Sequence, residues 1–164
     1  MKVVVTLTKD FFKGHSRQGQ PTRFAEAVQS LRKIHTCRGN YYFWAKKIEA
    51  LKSVGGTLCI REWTGKPYRS KQGTIKEIAS DVAGISLLVI RRNYTDDEHG
   101  EISYTAEVDG QPIALDVLAK NDGFRNVKDF IDFFAPMFKK NDTLHLGIIH
   151  FSPFRYGNTQ ANAS

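Results

Sequence analysis

Residues 32–38, RKIHTCR, set three cations, a histidine, a hydroxyl and a thiol in seven positions between two helical patterns. How that run is read decides what the chain around it builds. As a regular strand it sends Lys33 and Thr36 to opposite faces, because side chains alternate at every residue. As a helical or irregular turn it brings them together, since positions three apart coincide. The plainer alternative is a solvated basic turn in which Lys33 answers the dipole at a helix C-terminus.

Upstream, Pro21 suits a first helical turn and Phe24, Val28 and Leu31 recur at helical spacing, which predicts a short amphipathic helix ending near Leu31. Downstream, Trp44, Ile48 and Leu51 repeat that spacing in a second helix, closed by Gly55-Gly56, with Lys46, Lys47 and Lys52 toward solvent. Strands are predicted at residues 3–7, 57–63, 74–78, 85–90 and 102–108, the last entering an Asp109-Gly110 turn. Residues 112–118 are read as the returning strand, Val127, Phe130, Ile131 and Phe134 as a third helix, and 144–151 as an interior closing strand. Residues 11–20 read as a loop, Asp96-Asp97-Glu98-His99-Gly100 as a solvated acidic loop, and 157–164 as a disordered tail. The expectation is an α+β fold: one domain over 1–156, with a mixed, partly closed β-barrel of five to seven strands and about three flanking helices.

At 164 residues, 41% hydrophobic and 25% charged, the chain has the composition of an ordinary globular domain. The apolar run after Met1 meets Lys9 and Asp10 too early for a signal core or a spanning helix, so no membrane and a cytoplasmic location are expected. Cys37 and Cys59 form neither a disulfide framework nor a metal knuckle and are read as free thiols. Charge is unevenly spread. Residues 1–80 carry 16 Lys and Arg against 5 Asp and Glu (+11), and 81–164 carry 8 against 12 (−4), which together make the net +7. A local basic excess of this kind suits a protein that holds phosphates.

Several chemistries are not supported. The histidines at 15, 35, 99, 145 and 150 show no metal-ligand spacing, so no metal and no cofactor are expected. Gly65-Lys66-Pro67 lacks the rest of a phosphate loop, and no GxSxG elbow occurs. Two basic constellations remain. Around residues 61–72, Arg61, Lys66, Arg69 and Lys71 interleave with Trp63 and Tyr68, the arrangement by which aromatic faces stack bases while cations hold phosphates. The competing reading is a surface hairpin whose aromatics cover the core.

The other constellation is the opening run. Lys33-Ile34-His35-Thr36-Cys37-Arg38 resembles the Lys-x-x-Thr-x-Arg signature of ASCH domains, PUA-like barrels related to RNA-binding modules. Leu118-Ala119-Lys120-Asn121-Asp122-Gly123-Phe124, a Phe-rich helix and Ile148-Ile149-His150-Phe151 resemble the closing part of that domain, so the resemblance spans most of residues 24–156. It implies RNA binding, ribonuclease action or deacylation of a modified cytidine. In the amidohydrolase members the matching positions are Lys33, Thr36 and Asp122. There the lysine, made less basic by Arg32 and Arg38, would activate the threonine hydroxyl, and the acidic residue would protonate the leaving amine. This chain has Asp where those enzymes have Glu, and it adds the 65–72 element and the Asp96 hairpin. Asp122 also reads plainly as a turn-former before Gly123. The leading expectation is a basic cleft lined by Lys33, Thr36, Arg38, Lys66, Tyr68 and Arg69 that receives RNA, another single-stranded nucleic acid or a modified nucleobase. Hydrolysis by Lys33, Thr36 and Asp122 is the second expectation, and a protein-interaction module the third.

Overall fold

The computed structural model describes residues 1–95 and 100–157; the acidic run 96–99 and residues 158–164, all but the first of the expected tail, lie outside the described residues. The elements in chain order are β1 (Lys2–Leu7), α1 (Phe24–Gln29), β2 (His35–Gly39), α2 (Tyr41–Ser53), β3 (Thr57–Trp63) and β4 (Gln72–Ala79). They continue with β5 (Gly84–Tyr94), β6 (Ile102–Val108), β7 (Gln111–Ile113), α3 (Leu115–Asn121), α4 (Val127–Phe138) and β8 (Thr143–His150). The α+β class holds, with eight strands and four helices among the described residues rather than five to seven and three. The strands form two sheets, β1-β3-β4 and β2-β8-β5-β6-β7, and neither closes on itself.

β1 lies parallel to β3, with Val3 opposite Leu58 and Val5 opposite Ile60. The larger sheet is antiparallel throughout, and β8 has a neighbour on each side, as its apolar residues at both parities require. Val5, Leu58 and Ile60 of one sheet, Leu88, Ile90, Leu146 and Ile148 of the other, and Phe130, Phe134 and Phe138 of α4 belong to one buried apolar cluster. Burying such side chains contributes about 1.5–3 kcal/mol each, which ties the two sheets into one unit. No described helix is long and apolar enough to cross a membrane.

The sequence reading of 112–118 as a strand is corrected. Only Gln111–Ile113 is extended; Ala114 then caps α3, whose Leu118 and Ala119 are buried while Val117 is exposed. Leu115, Leu118 and Ala119 stand at helical spacing, and that period prevails once the edge strand containing Pro112 has ended.

Gly55-Gly56 closes α2 as expected. Gly55 (φ 63) donates to the Lys52 carbonyl at 3.4 Å and Gly56 to that of Leu51 at 2.8 Å, a pairing in which the last turn's free carbonyls are satisfied. The two glycines differ in what surrounds them. A Cβ at Gly55 meets nothing within 4 Å, so Gly55→Ala should cost only the left-handed backbone, about 1 kcal/mol. A Cβ at Gly56 would stand 2.6 Å from the Met1 carbonyl oxygen, so Gly56→Ala must displace the start of β1. Urea unfolding should rank Gly56→Ala as clearly the more destabilising; equal losses would refute the packing.

Candidate functional site

Two helix ends of the same design deliver the site. α1 stops at Ser30; Leu31 (φ 64) donates to the Val28 carbonyl and Arg32 to that of Ala27, at 3.2 and 2.8 Å. α3 stops at Asp122; Gly123 (φ 86) donates to the Lys120 carbonyl and Phe124 to that of Ala119, at 3.0 and 2.9 Å. Both are left-handed caps that reverse the chain sharply. The reversals meet: Lys33 and Asp122 form an antiparallel bridge, and the Ile34 amide donates to the Asn121 carbonyl at 2.9 Å.

Lys33 is 2% exposed and Asp122 2%. The Lys33 ammonium donates to the Asp122 carbonyl oxygen at 2.6 Å, stands 3.4 Å from Oδ1 of the same residue, and lies 4.3 Å from the centre of the Phe24 ring. Burial holds the Lys33 pKa below its ordinary value, against the opposing pull of Asp122. Arg38 adds a smaller push in the same direction, so the cause differs from the neighbouring charges that the sequence reading invoked.

Oδ1 of Asp122 also lies 3.0 Å from His35 Nδ1. His35 Nε2 lies 2.7 Å from the Tyr156 hydroxyl, which in turn accepts from Asn121 Nδ2 at 3.0 Å. A buried polar chain therefore runs from Asn121 through Tyr156, His35 and Asp122 to Lys33. Burial pushes the Tyr156 hydroxyl above its ordinary range and likewise raises the Cys37 thiol. Cys37 is buried and free, as is Cys59. His35, Cys37 and Asp122 present ligand atoms within 4.8 Å of one another. This cluster was invisible in the sequence because Asp122 is 87 positions from His35. The Lys33 ammonium beside the same carboxylate opposes a metal cation there.

Whether Lys33 and Thr36 diverge is decided by where β2 begins. It starts at His35, so Lys33 sits in an isolated bridge just before it rather than in the strand itself. Lys33, Thr36, Arg38 and Asp122 line one cavity of about 310 Å³, walled by Phe24, Phe124, Phe134 and Met137 among others. Thr36 shares the cavity, but its hydroxyl has no hydrogen bond with Lys33 or Asp122.

Arg38 is half-buried, its pKa lowered by burial, and its guanidinium donates to the Thr6 carbonyl, linking β2 to β1. It also borders a second cavity of about 350 Å³, which shares Thr6, Leu7 and Thr8 with the first and is lined further by Trp63 and Tyr68. The Trp63 and Tyr68 rings lie 5.1 Å apart, and Tyr68 is 89% exposed, so it does not cover the core. Lys66, Arg69 and Lys71 are exposed on the β3–β4 hairpin loop but are not part of the cavity lining. Arg61 is half-buried with its Nε on Cys59 Sγ at 3.3 Å, and it lines neither cavity.

His150, opposite His35 in the β2–β8 register, is fully buried. Its Nε2 meets Ser86 Oγ at 2.8 Å, while Nδ1 has no partner among the described residues. Burial above all, then Arg155 and His35, push its pKa down to about 2 from 6.5. Between those values the unfolded chain binds the proton that the folded chain refuses, so stability rises with pH across that window. Acidification below about pH 6.5 should therefore cost up to about 1.4 kcal/mol per pH unit through this residue. His150→Gln should flatten that slope in urea midpoints measured from about pH 5 to 7; an unchanged slope would contradict it.

The chain matches no family model, no curated protein and no solved structure.

Proposed function

We propose that the chain binds RNA or another single-stranded nucleic acid in the cleft formed by the two adjoining cavities, with a base or modified base held at the Lys33 end. The observation that carries this reading is the continuity of the cleft: Thr6, Leu7, Thr8 and Arg38 belong to both cavities. A partly apolar chamber with buried polar groups at its base opens toward an aromatic pair, half-buried Trp63 and exposed Tyr68, which suits a base inside and a stacked neighbour outside. Lys66, Arg69 and Lys71 on the hairpin loop supply positive charge beyond the rim. The resemblance of KIHTCR and LAKNDGF to ASCH domains, with the PUA-like fold it implies, belongs to the same proposal.

Affinity for a single-stranded oligoribonucleotide should fall steeply with salt, in proportion to the phosphates contacted. Tyr68→Ala should weaken binding by about tenfold, as loss of one stacking partner does. No binding, or binding indifferent to salt, would overturn the reading.

Hydrolysis of an acylated nucleoside or of RNA is the second reading, favoured by the burial that lowers the Lys33 pKa in the cavity containing Thr36. A less protonated lysine can take a hydroxyl proton, provided Thr36 and Lys33 close to hydrogen-bonding distance on substrate binding. Incubation with N4-acetylcytidine and with RNA tests it. Turnover should be lost in Lys33→Met, and turnover that survives, or none in the parent chain, refutes it.

A further inference from the structure

Beside the cleft lies a third cavity, of about 530 Å³, to which the two basic constellations of the sequence contribute Arg32 alone. Four arginines line it: Arg17, Arg23 and Arg32 from the N-terminal part of the chain, and Arg125. Arg17 is already engaged, its Nη1 3.0 Å from Asp129 Oδ2 and its Nε on Gln20 at 3.0 Å. The guanidiniums of Arg23, Arg32 and Arg125 have no hydrogen bond and no ion pair with any described residue. Arginine stays charged at any ordinary pH, so three cations without an ion-pair partner among the described residues line one polar hollow.

Their placement favours an anion. Arg23 is the residue before α1, with left-handed backbone (φ 58) and no capping hydrogen bond, and Arg125 directly precedes Asn126, the cap of α4. Cations at helix N-termini oppose the dipole, and an arginine in left-handed conformation carries strain. An adjoining cavity shares Arg32 and Arg125 and adds Lys120, with Asp116 as its carboxylate. Planar guanidiniums grip phosphate oxygens in pairs, and several around one concavity favour phosphate over a singly charged carboxylate.

We propose that the hollow walled by Arg17, Arg23, Arg32 and Arg125 is a phosphate-binding pocket for a phosphate-bearing ligand. It is distinct from the cleft, because consecutive residues divide between the two: Phe24, Lys33 and Asp122 line the cleft, and Arg23, Arg32 and Gly123 line the pocket, with Phe124 common to both.

The test compares, at constant ionic strength set with chloride, inorganic phosphate, a ribonucleoside with its 5′-monophosphate, and an oligoribonucleotide with and without a 5′-phosphate. The phosphorylated member of each pair should bind about tenfold more tightly, the loss expected of one charged hydrogen-bonding interaction. The triple variant Arg23→Ala/Arg32→Ala/Arg125→Ala should abolish that advantage; all three side chains are exposed and unpaired, so the fold is retained, checked by an unchanged unfolding midpoint. Tyr68→Ala should leave the phosphate advantage intact, which separates this pocket from the cleft. Binding of inorganic phosphate as tight as that of the nucleotide identifies phosphate itself as the ligand, and tighter nucleotide binding identifies a phosphorylated nucleoside or strand end; either upholds the pocket. Equal affinities within each pair, or an advantage that survives the triple substitution, would overturn it.

Discussion

The contact between Lys33 and Asp122 organises the rest of the site, and it exists because two helices end in the same way. Taking an ammonium group out of water costs several kcal/mol even after relaxation, so a lysine 2% exposed needs partners in place before it is buried. Here they come from a single residue and a ring: the carbonyl and carboxylate of Asp122 and the face of Phe24. The left-handed caps at Leu31 and Gly123 set the two chains edge to edge. A Cβ at Gly123 would stand 3.0 Å from the Lys33 Cβ, so the left-handed backbone favours glycine there and any side chain would press on Lys33. The turn-former reading of Asp122 and the functional reading are therefore not rivals, since the turn is what carries the carboxylate inward.

Around that contact the polar groups form a supported chain. His35 connects the carboxylate to Tyr156, and Tyr156 leans on Asn121, one residue before Asp122, so the chain closes back on the turn it started from. Such closure orients a carboxylate and limits its rotamers, which a binding or catalytic group needs more than additional stability. His150 shows the opposite condition. Its unpartnered nitrogen is tolerated because burial keeps the ring neutral between two strands.

The sequence revealed α1, α2 and α4 and most strands because each has one apolar face whose period can be counted, as Trp44, Ile48 and Leu51 do, whereas α3 was read as a strand. It did not reveal β2. In His35–Gly39 the buried residues are a histidine, a threonine and a cysteine in succession, with no apolar alternation. The burial of His35 is justified by partners 87 and 121 positions distant, which no local window contains. The convergence of Lys33 with Asp122 was accessible through resemblance to a family pattern, not through spacing. The interleaved stretch at 61–72 overstated its own case, because alternation along β3 and the hairpin turn divide its residues: Trp63 and Tyr68 reach the cleft, while Arg61 turns to Cys59.

Charge adds a constraint of a different kind. The basic excess of residues 1–80 was readable as a total but not as a place, and the fold spreads it over two surfaces separated by one chain thickness. At 23–24, 32–33 and 122–123, neighbouring residues face opposite sides of a wall, with buried or apolar groups toward the cleft and arginine or glycine toward the outer hollow. A wall of this kind lets Lys33 stay desolvated while nearby cations remain hydrated. Placed on the cleft side, Arg23 and Arg32 would stand in the same low-dielectric space as Lys33, and their repulsion would join the desolvation penalty the lysine already bears. Keeping Arg23 and Arg32 outward thus limits the like charge that Lys33 meets inside the cleft to that of Arg38, whatever ligand either surface takes.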